Sequence, residues 1–214
     1  MTTPDSEATA SNQTRGWTLR QGALLSGPAE AIVLIGGILL AAYVFTPTAS
    51  FDWMGDIEQF GILRHYSIAL GCFLGIVFLW PVWEDTTNTV QRVGLGLLGL
   101  GLAVTGGANA LGAVGIRAGD WTVIGILLLI PLAFLVYGGG DISAGSRRRG
   151  VKSLVIGLAY IGDLGLLFAG YQLASYFLIF VLLSAWSVMM YLELQQSSFK
   201  REGGGARDSH RDAS

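Results

Sequence analysis

Residues Val151 to Gly170 have the sequence VKSLVIGLAYIGDLGLLFAG. This apolar run is long enough for a helix that crosses the hydrocarbon core of a bilayer, which takes about 20 residues. Arg147, Arg148 and Arg149 come directly before it. Because positively charged flanks of a span prefer the cytoplasmic side, we interpret this cluster as a topology determinant. Binding of anionic lipid headgroups is the weaker alternative, since lipid-binding clusters usually hold more basic residues.

The composition of the whole chain favours a membrane protein. Of its 214 residues, 52% are hydrophobic and 13% are charged, whereas soluble domains carry about 25% charged residues. The net charge of −2 provides no field that would attract nucleic acid, so no nucleic-acid partner is expected. The abundance of Arg, Gly and Ala over Lys is typical of a high-GC prokaryote, and we expect a location in its cell membrane.

Six segments have the length and hydropathy of membrane spans. They are predicted at about 28–45, 61–83, 93–116, 121–137, 151–170 and 174–192. The polar residues 1–27 predict a disordered or interfacial tail, and residues 193–214 predict a second disordered tail. Pro28 suits the start of the first helix, and Glu30 suits its first turn, where the helix dipole favours a negative charge. The sequence thus predicts an all-α integral membrane protein with one six-helix transmembrane domain over 28–192.

The distribution of basic residues orients this bundle. An even number of spans places both termini on the same side of the membrane. In this arrangement the cytoplasmic side holds most of the basic residues, and the outer side holds only Arg64 and Arg117. A hairpin near residues 170–173 keeps the basic flanks of the last two spans on the cytoplasmic side. We therefore predict that the N and C termini are both cytoplasmic.

The third predicted span is rich in small residues. Gly99, Ala103 and Gly107 follow one another at four-residue intervals, and Gly112 continues the theme. In lipid, such stripes allow two helix backbones to approach closely. We expect the stripe to pack against another helix of the same chain. The alternative is an interface in a homo-oligomer or in a larger membrane complex.

The acid inside the stretch quoted first is the main candidate for a functional residue. A carboxylate at the centre of a membrane helix is unfavourable by roughly 2.5–3.5 kcal/mol on insertion scales, so Asp163 must face protein or water. The helical rise places it about 10 Å below the outer end of its span. Four polar residues are expected near the same end of the bundle: Asn109, His65, Arg64 and Tyr160.

These residues lead to two main hypotheses about function. In the first, they line one outward-facing pocket of a small transporter-like or channel-like protein, and Asp163 binds a proton or another cation. In the second, the chain is a non-catalytic membrane subunit or scaffold, and Asp163 holds helices together through Asn109 or Arg64. An intramembrane enzyme acting on lipid is disfavoured because no nucleophile, metal-ligand set or pair of acids is visible.

The chain lacks the motifs of established cofactor and metal chemistry. It has no GxxxxGK[ST] phosphate loop. Its only histidines are His65 and His210, and His210 lies in the predicted tail, so an HExxH site and a bis-histidine haem site are excluded. Cys72 is the only cysteine. The glycine-rich runs lie inside apolar segments with no strand before them, which argues against a dinucleotide fold. We therefore name no catalytic residue and expect no metal or cofactor, with the lipid bilayer as the main partner.

Overall fold

The chain is helical throughout the part that the computed structural model describes, residues 19–37, 57–169 and 172–208. The helices are α1 (19–37), α2 (Ile57–Glu84), α3 (Thr89–Ala113), α4 (Gly119–Ser143), α5 (Arg147–Phe168) and α6 (Gln172–Asp208). No strand occurs in these ranges. Within them, four segments are long and apolar enough to cross a membrane: His65–Glu84, Thr89–Ala113, Gly119–Ser143 and Leu178–Gln196. The all-α class is therefore confirmed, with four helices that have the length and hydropathy of membrane spans.

Helix α1 begins earlier than the sequence predicted. Residues 19–37 are helical, so Pro28 lies inside the helix and does not start it. Membrane helices tolerate an internal proline when neighbouring groups satisfy the freed carbonyls. Glu30 is consequently at least three turns from the start of the helix, beyond the reach of a first-turn dipole effect. The predictions for residues 1–18 and 38–45 lie outside the described residues.

Helices α1 and α2 are antiparallel and approach each other at glycines. Gly27 faces Phe78, Gly75 faces Glu30, Gly71 faces Leu34 and Gly37 faces Ser67. A Cβ atom added at any of these glycines would lie within 2.5 to 2.8 Å of the facing side chain. Because only glycine leaves that space, these four positions set the distance between the two helices.

The helices form a closed series of contacts. Each of α2 to α5 packs against the next helix in the chain, and α6 returns to α2 and, through Ser187, to Glu30 of α1. Trp186 of α6 lies at the centre and is 1% exposed. Its ring centroid is 5.4 Å from that of Phe134, 5.9 Å from that of Tyr137 and 6.5 Å from that of Phe78. This aromatic cluster joins α2, α4 and α6.

Helix α4 is longer than predicted and contains a widened turn. Residues Gly125–Leu129 form a π-helical turn in which the Ile130 N–H bonds to the Gly125 carbonyl. The turn lies immediately before Pro131, which lacks an N–H and disturbs the regular ladder. The helix then continues through 138–140, which the sequence placed in a loop, and ends at Ser143. Gly145, with φ of 85°, adopts the left-handed conformation that turns the chain toward α5.

The last two helices also extend beyond their predicted limits. Helix α5 begins at Arg147, four residues before the predicted span, so the arginine cluster forms its first turn. Helix α6 continues to Asp208, past the predicted end at Leu192. Residues 193–208, assigned by the sequence to a disordered tail, are therefore helical. Their first part, ELQQSSFKRE, is rich in residues of good helix propensity, which explains the continuation.

Candidate functional site

Asp163 lies on α5 and is 1% exposed. Its Oδ2 atom accepts a hydrogen bond from the hydroxyl of Ser175 on α6, and Oδ1 has no hydrogen-bond partner among the described residues. The bond ties α5 to α6 near the connection between them. Burial of a carboxylate with only one hydrogen-bonded oxygen costs free energy, and helix packing alone does not explain an acid at this position.

Tyr160 lies one helical turn before Asp163 and is also buried. Its hydroxyl donates to the backbone oxygen of Ile179 on α6 at 2.8 Å. Its ring packs against Phe134, with the centroids 5.6 Å apart. The hydroxyl proton is thus used to join α5 to α6, while the phenolic oxygen can still accept a hydrogen bond.

His65 of α2 and Asn109 of α3 form a separate polar centre. The His65 Nδ1 atom lies 2.8 Å from Asn109 Oδ1. Asn109 Nδ2 donates to the backbone oxygen of Thr105 at 2.8 Å and to the hydroxyl of Thr122 at 3.4 Å. Because the amide nitrogen is engaged by Thr105, the amide oxygen is the acceptor, and the assigned tautomer of His65 carries its proton on Nδ1. A cavity of about 500 Å³ adjoins His65 and Thr122.

The structure divides the predicted outward-facing pocket into two parts. Asp163 and Tyr160 bond to α6, whereas His65 and Asn109 bond to each other and to α4. Helix α4 lies between α3 and α5 in the series of contacts, so Asp163 bonds to Ser175 and not to Asn109. The proposed bond between Asp163 and Asn109 is therefore wrong. The side chain of Arg64 lies outside the described residues.

Glu30 is a buried acid that the sequence analysis placed at a helix start. It is 1% exposed, and its Oε2 accepts a hydrogen bond from the Ser187 hydroxyl at 2.7 Å. Oε1 has no hydrogen-bond partner in the described ranges. Gly75 makes room for it, since a Cβ there would lie 2.7 Å from Oε1. The 3-4-3 spacing of residues 27, 30, 34 and 37 was the signal that Glu30 belongs to the inner face of a longer helix.

The two acids Glu30 and Asp163 both accept hydrogen bonds from serines of α6, at positions about 120° apart around the helix. Their serine partners, Ser187 and Ser175, are twelve residues apart, which corresponds to about 18 Å of helix. The Tyr160 hydroxyl, bonded to Ile179, lies between them along the helix axis. A row of carboxyl and hydroxyl groups therefore follows α6 through the interior of the bundle; we call it the α6 polar row.

Asp141 forms a further buried centre near the end of α4. It is fully buried, and its Oδ1 accepts hydrogen bonds from Gln91 Nε2 and from Arg149 Nε at 2.9 Å. Arg149 Nη2 lies 2.8 Å from the same oxygen. Burial acts to lower the pKa of the Arg149 guanidinium, but Tyr137 and Asp141 outweigh it and raise that pKa above its ordinary value. The sequence missed this pair because it assigned Asp141 to a loop.

The three predicted topology determinants do not share one environment. Arg149 is committed to Asp141, whereas Arg147 and Arg148 are exposed and form no ion pair with any described residue. One turn later, Lys152 Nζ bonds to Glu193 Oε1 at 2.9 Å. Two of the three guanidinium groups are therefore available to groups outside the bundle.

The residues of the predicted small-residue stripe on α3 have different surroundings. Gly112 seats the imidazole of His65, since a Cβ there would lie 3.0 Å from Cε1. A Cβ added at Gly99 would lie 3.5 Å from Leu79, which is an ordinary van der Waals contact. Ala103 is exposed, and a Cβ added at Gly107 would meet no described atom within 4 Å. The close approaches of α3 are made instead by Gly94, Gly101 and Gly106. Ala103 and Gly107 thus face away from the described helices.

The described residues therefore contain three separate buried carboxylates, each with one oxygen that lacks a hydrogen-bond partner there. In these ranges no three His, Cys, Asp or Glu side chains come together as a metal site would need. Asp141 is paired with Arg149, whereas Glu30 and Asp163 each have only a serine hydroxyl as a partner among these residues. No family model, curated protein or solved structure matches the chain.

Proposed function

We propose that the chain is a six-span cell-membrane protein with cytoplasmic termini, and that it conducts or exchanges protons or small cations along the α6 polar row. Six helices in the described residues support the six spans. The ion pairs Arg20–Glu84, Arg149–Asp141 and Lys152–Glu193 all lie at one end of the bundle, which supports a single basic, cytoplasmic end.

Glu30 is the observation that carries the proposal. In the middle of an apolar bundle, a carboxylate with one hydroxyl donor leaves most of its charge uncompensated. Interhelical glue needs only a neutral polar group, and polar bonds in membranes are worth about 0.6 kcal/mol on average. An acid at this position is therefore explained better by a group that takes up and releases a cation.

The α6 polar row extends from Glu30 toward the opposite end of the bundle. Asp163 lies near the end where α5 meets α6, and the Tyr160 hydroxyl lies between the two acids. Groups that alternate between donor and acceptor roles are the usual components of an intramembrane proton relay.

The decisive experiment measures proton, Na⁺ and K⁺ flux into liposomes that contain the purified full-length chain. We expect flux above that of empty vesicles for one of these cations. Glu30→Gln preserves the size of the side chain and its hydrogen bond to Ser187, but it cannot exchange a proton or bind a cation as an anion. Flux in this variant should fall to the level of empty vesicles.

Glu84→Gln is the matched control, because it makes the same chemical change at an exposed residue whose ion pair with Arg20 is 3.8 Å long. Its flux should equal that of the wild type. Full flux in Glu30→Gln would remove Glu30 from the mechanism. A wild-type protein that moves none of the three cations would refute the proposed function.

A membrane scaffold is the second candidate, and the outward-facing part of the α3 stripe favours it. Ala103 and Gly107 present a small-residue surface that no described helix covers. If this surface joins copies of the chain, the purified protein should be oligomeric in mild detergent, and Gly107→Leu should yield monomers by light scattering. Gly119→Leu, at another glycine with no described atom within 4 Å, is the control. A monomeric wild type would exclude this candidate.

A further inference from the structure

A groove separate from the α6 polar row opens between α1, α5 and α6. Its volume is about 1070 Å³. Arg147, Arg148 and Lys152 line it at the basic end of the bundle. Ile35 of α1 and residues 181–192 of α6 supply an apolar wall below them. The groove is therefore amphipathic, with cations at its mouth and hydrocarbon along its length.

The cations at the mouth differ in their availability. Lys152 bonds to Glu193, whereas Arg147 and Arg148 are exposed and unpaired among the described residues. Guanidinium groups bind phosphate oxygens through directed, charge-assisted hydrogen bonds. The mouth therefore has two groups that fit a phosphate and that no acid of the described bundle neutralises.

The apolar wall has the dimensions of a lipid chain. Residues 181–192 of α6 line the groove over about 17 Å of helical rise. One leaflet of a bilayer contributes about 15 Å of hydrocarbon. Ala185 is exposed in this wall and Leu192 is 48% exposed. An acyl chain that lay along α6 would cover these surfaces.

A buried hydroxyl lies along the same groove. Ser184 lines the groove, is 2% exposed, and its Oγ has no hydrogen-bond partner in the described ranges. Buried hydroxyl groups are nearly always hydrogen-bonded. The contacts Ser153–Trp186 and Tyr160–Ile179 align α5 with α6 and place Ser184 about seven residues, or roughly 10 Å, below Arg148. Ser184 therefore lies within the apolar part of the groove, below the level of a headgroup bound at Arg148.

We propose that this groove is a binding site for one anionic phospholipid of the surrounding leaflet. Its phosphate binds Arg147 and Arg148, and one acyl chain lies along α6. The site does not depend on the α6 polar row, so it stands whether or not the chain conducts cations.

The test is native mass spectrometry of the full-length protein in detergent, titrated with phosphatidylglycerol or with phosphatidylcholine. We expect one tightly bound phosphatidylglycerol, held at least tenfold more tightly than phosphatidylcholine. Each basic residue near an anionic headgroup contributes a factor of about five, so Arg147→Gln with Arg148→Gln should weaken binding roughly 30-fold. Arg117→Gln, an exposed arginine at the other end of the bundle, should leave binding unchanged.

A second variant tests the apolar wall. Ala185→Trp fills the groove from an exposed position and should abolish the bound lipid, whereas Leu158→Trp, at a residue 59% exposed outside the groove, should not. Glycerol phosphate alone should not bind; if it competes fully, the ligand is a free anion and the lipid assignment fails. Equal affinity for the two lipids, or unchanged binding in the double arginine variant or in Ala185→Trp, would also overturn the proposal.

Discussion

The glycine run at 138–140 on α4 makes a sharp prediction about how the bundle packs. A Cβ at Gly138 would lie 2.8 Å from the Gly150 oxygen and 2.9 Å from the Leu154 nitrogen, both backbone atoms of α5. A Cβ at the next residue, Gly139, would meet no described atom within 4 Å. The substitutions Gly138→Ala and Gly139→Ala therefore add the same methyl group to adjacent residues with opposite surroundings.

The magnitudes follow from two terms. Alanine is favoured over glycine in a helix interior by about 1 kcal/mol, and both variants gain this term. At Gly138 the methyl group must push apart two backbones, because neither neighbouring atom belongs to a movable side chain, and overpacking of this kind costs about 1–3 kcal/mol. Gly139→Ala should thus stabilise the protein by about 1 kcal/mol, with Gly138→Ala about 1–3 kcal/mol less stable than Gly139→Ala.

The assay is reversible unfolding of both variants in mixed micelles with increasing SDS, followed by circular dichroism. Comparing the variants with each other cancels the helix-propensity term and leaves the contact between α4 and α5. If the two variants unfold at the same SDS fraction, the close approach of α4 and α5 at Gly138 is wrong.

Two further predictions concern the buried acids. Arg149→Gln should destabilise the protein by about 3–5 kcal/mol because it leaves Asp141 buried without its cation. Arg20→Gln, in a partly exposed pair 3.8 Å long, should cost less than about 1 kcal/mol. Similar losses in SDS unfolding would contradict the buried pair. Ser175→Ala should lower the free energy of unfolding by about 1–3 kcal/mol because it removes the donor to Asp163. Ser175→Thr keeps the hydroxyl and should recover most of this loss. Equal losses in the two variants would show that the hydroxyl is not the stabilising group.

The membrane class was predictable because it depends on composition and on the length of apolar runs. Helices α2 and α3 also lie within a few residues of their predicted spans. The limits of α1 and α4 were not predictable from local signals, since Pro28 and Gly138 resemble helix ends. In the fold, Pro28 is carried inside a longer helix, and Gly138 is required by a close contact with α5 that the sequence does not reveal.

For the candidate site, the sequence allows the depth of a residue along its helix to be estimated, but it does not show which helices are neighbours. Helical rise correctly suggested that His65 and Asn109 could meet, and they lie 2.8 Å apart. The same argument failed to separate Asp163 from them, because depth along a helix says nothing about which helices are adjacent. Glu30 was placed in the wrong turn for a related reason: its position depends on where α1 begins.

The return of α6 to α1 has a consequence for synthesis of the protein. Consecutive helices are neighbours, so each can dock on the previous one as the nascent chain leaves the ribosome. The contacts of α6 with α1, α2 and α4 are exceptions, and the bond between Glu30 and Ser187 joins residues that are 157 positions apart. Glu30 must therefore enter the membrane long before its hydroxyl donor exists, and the packing of α1 can be completed only after α6 has been translated.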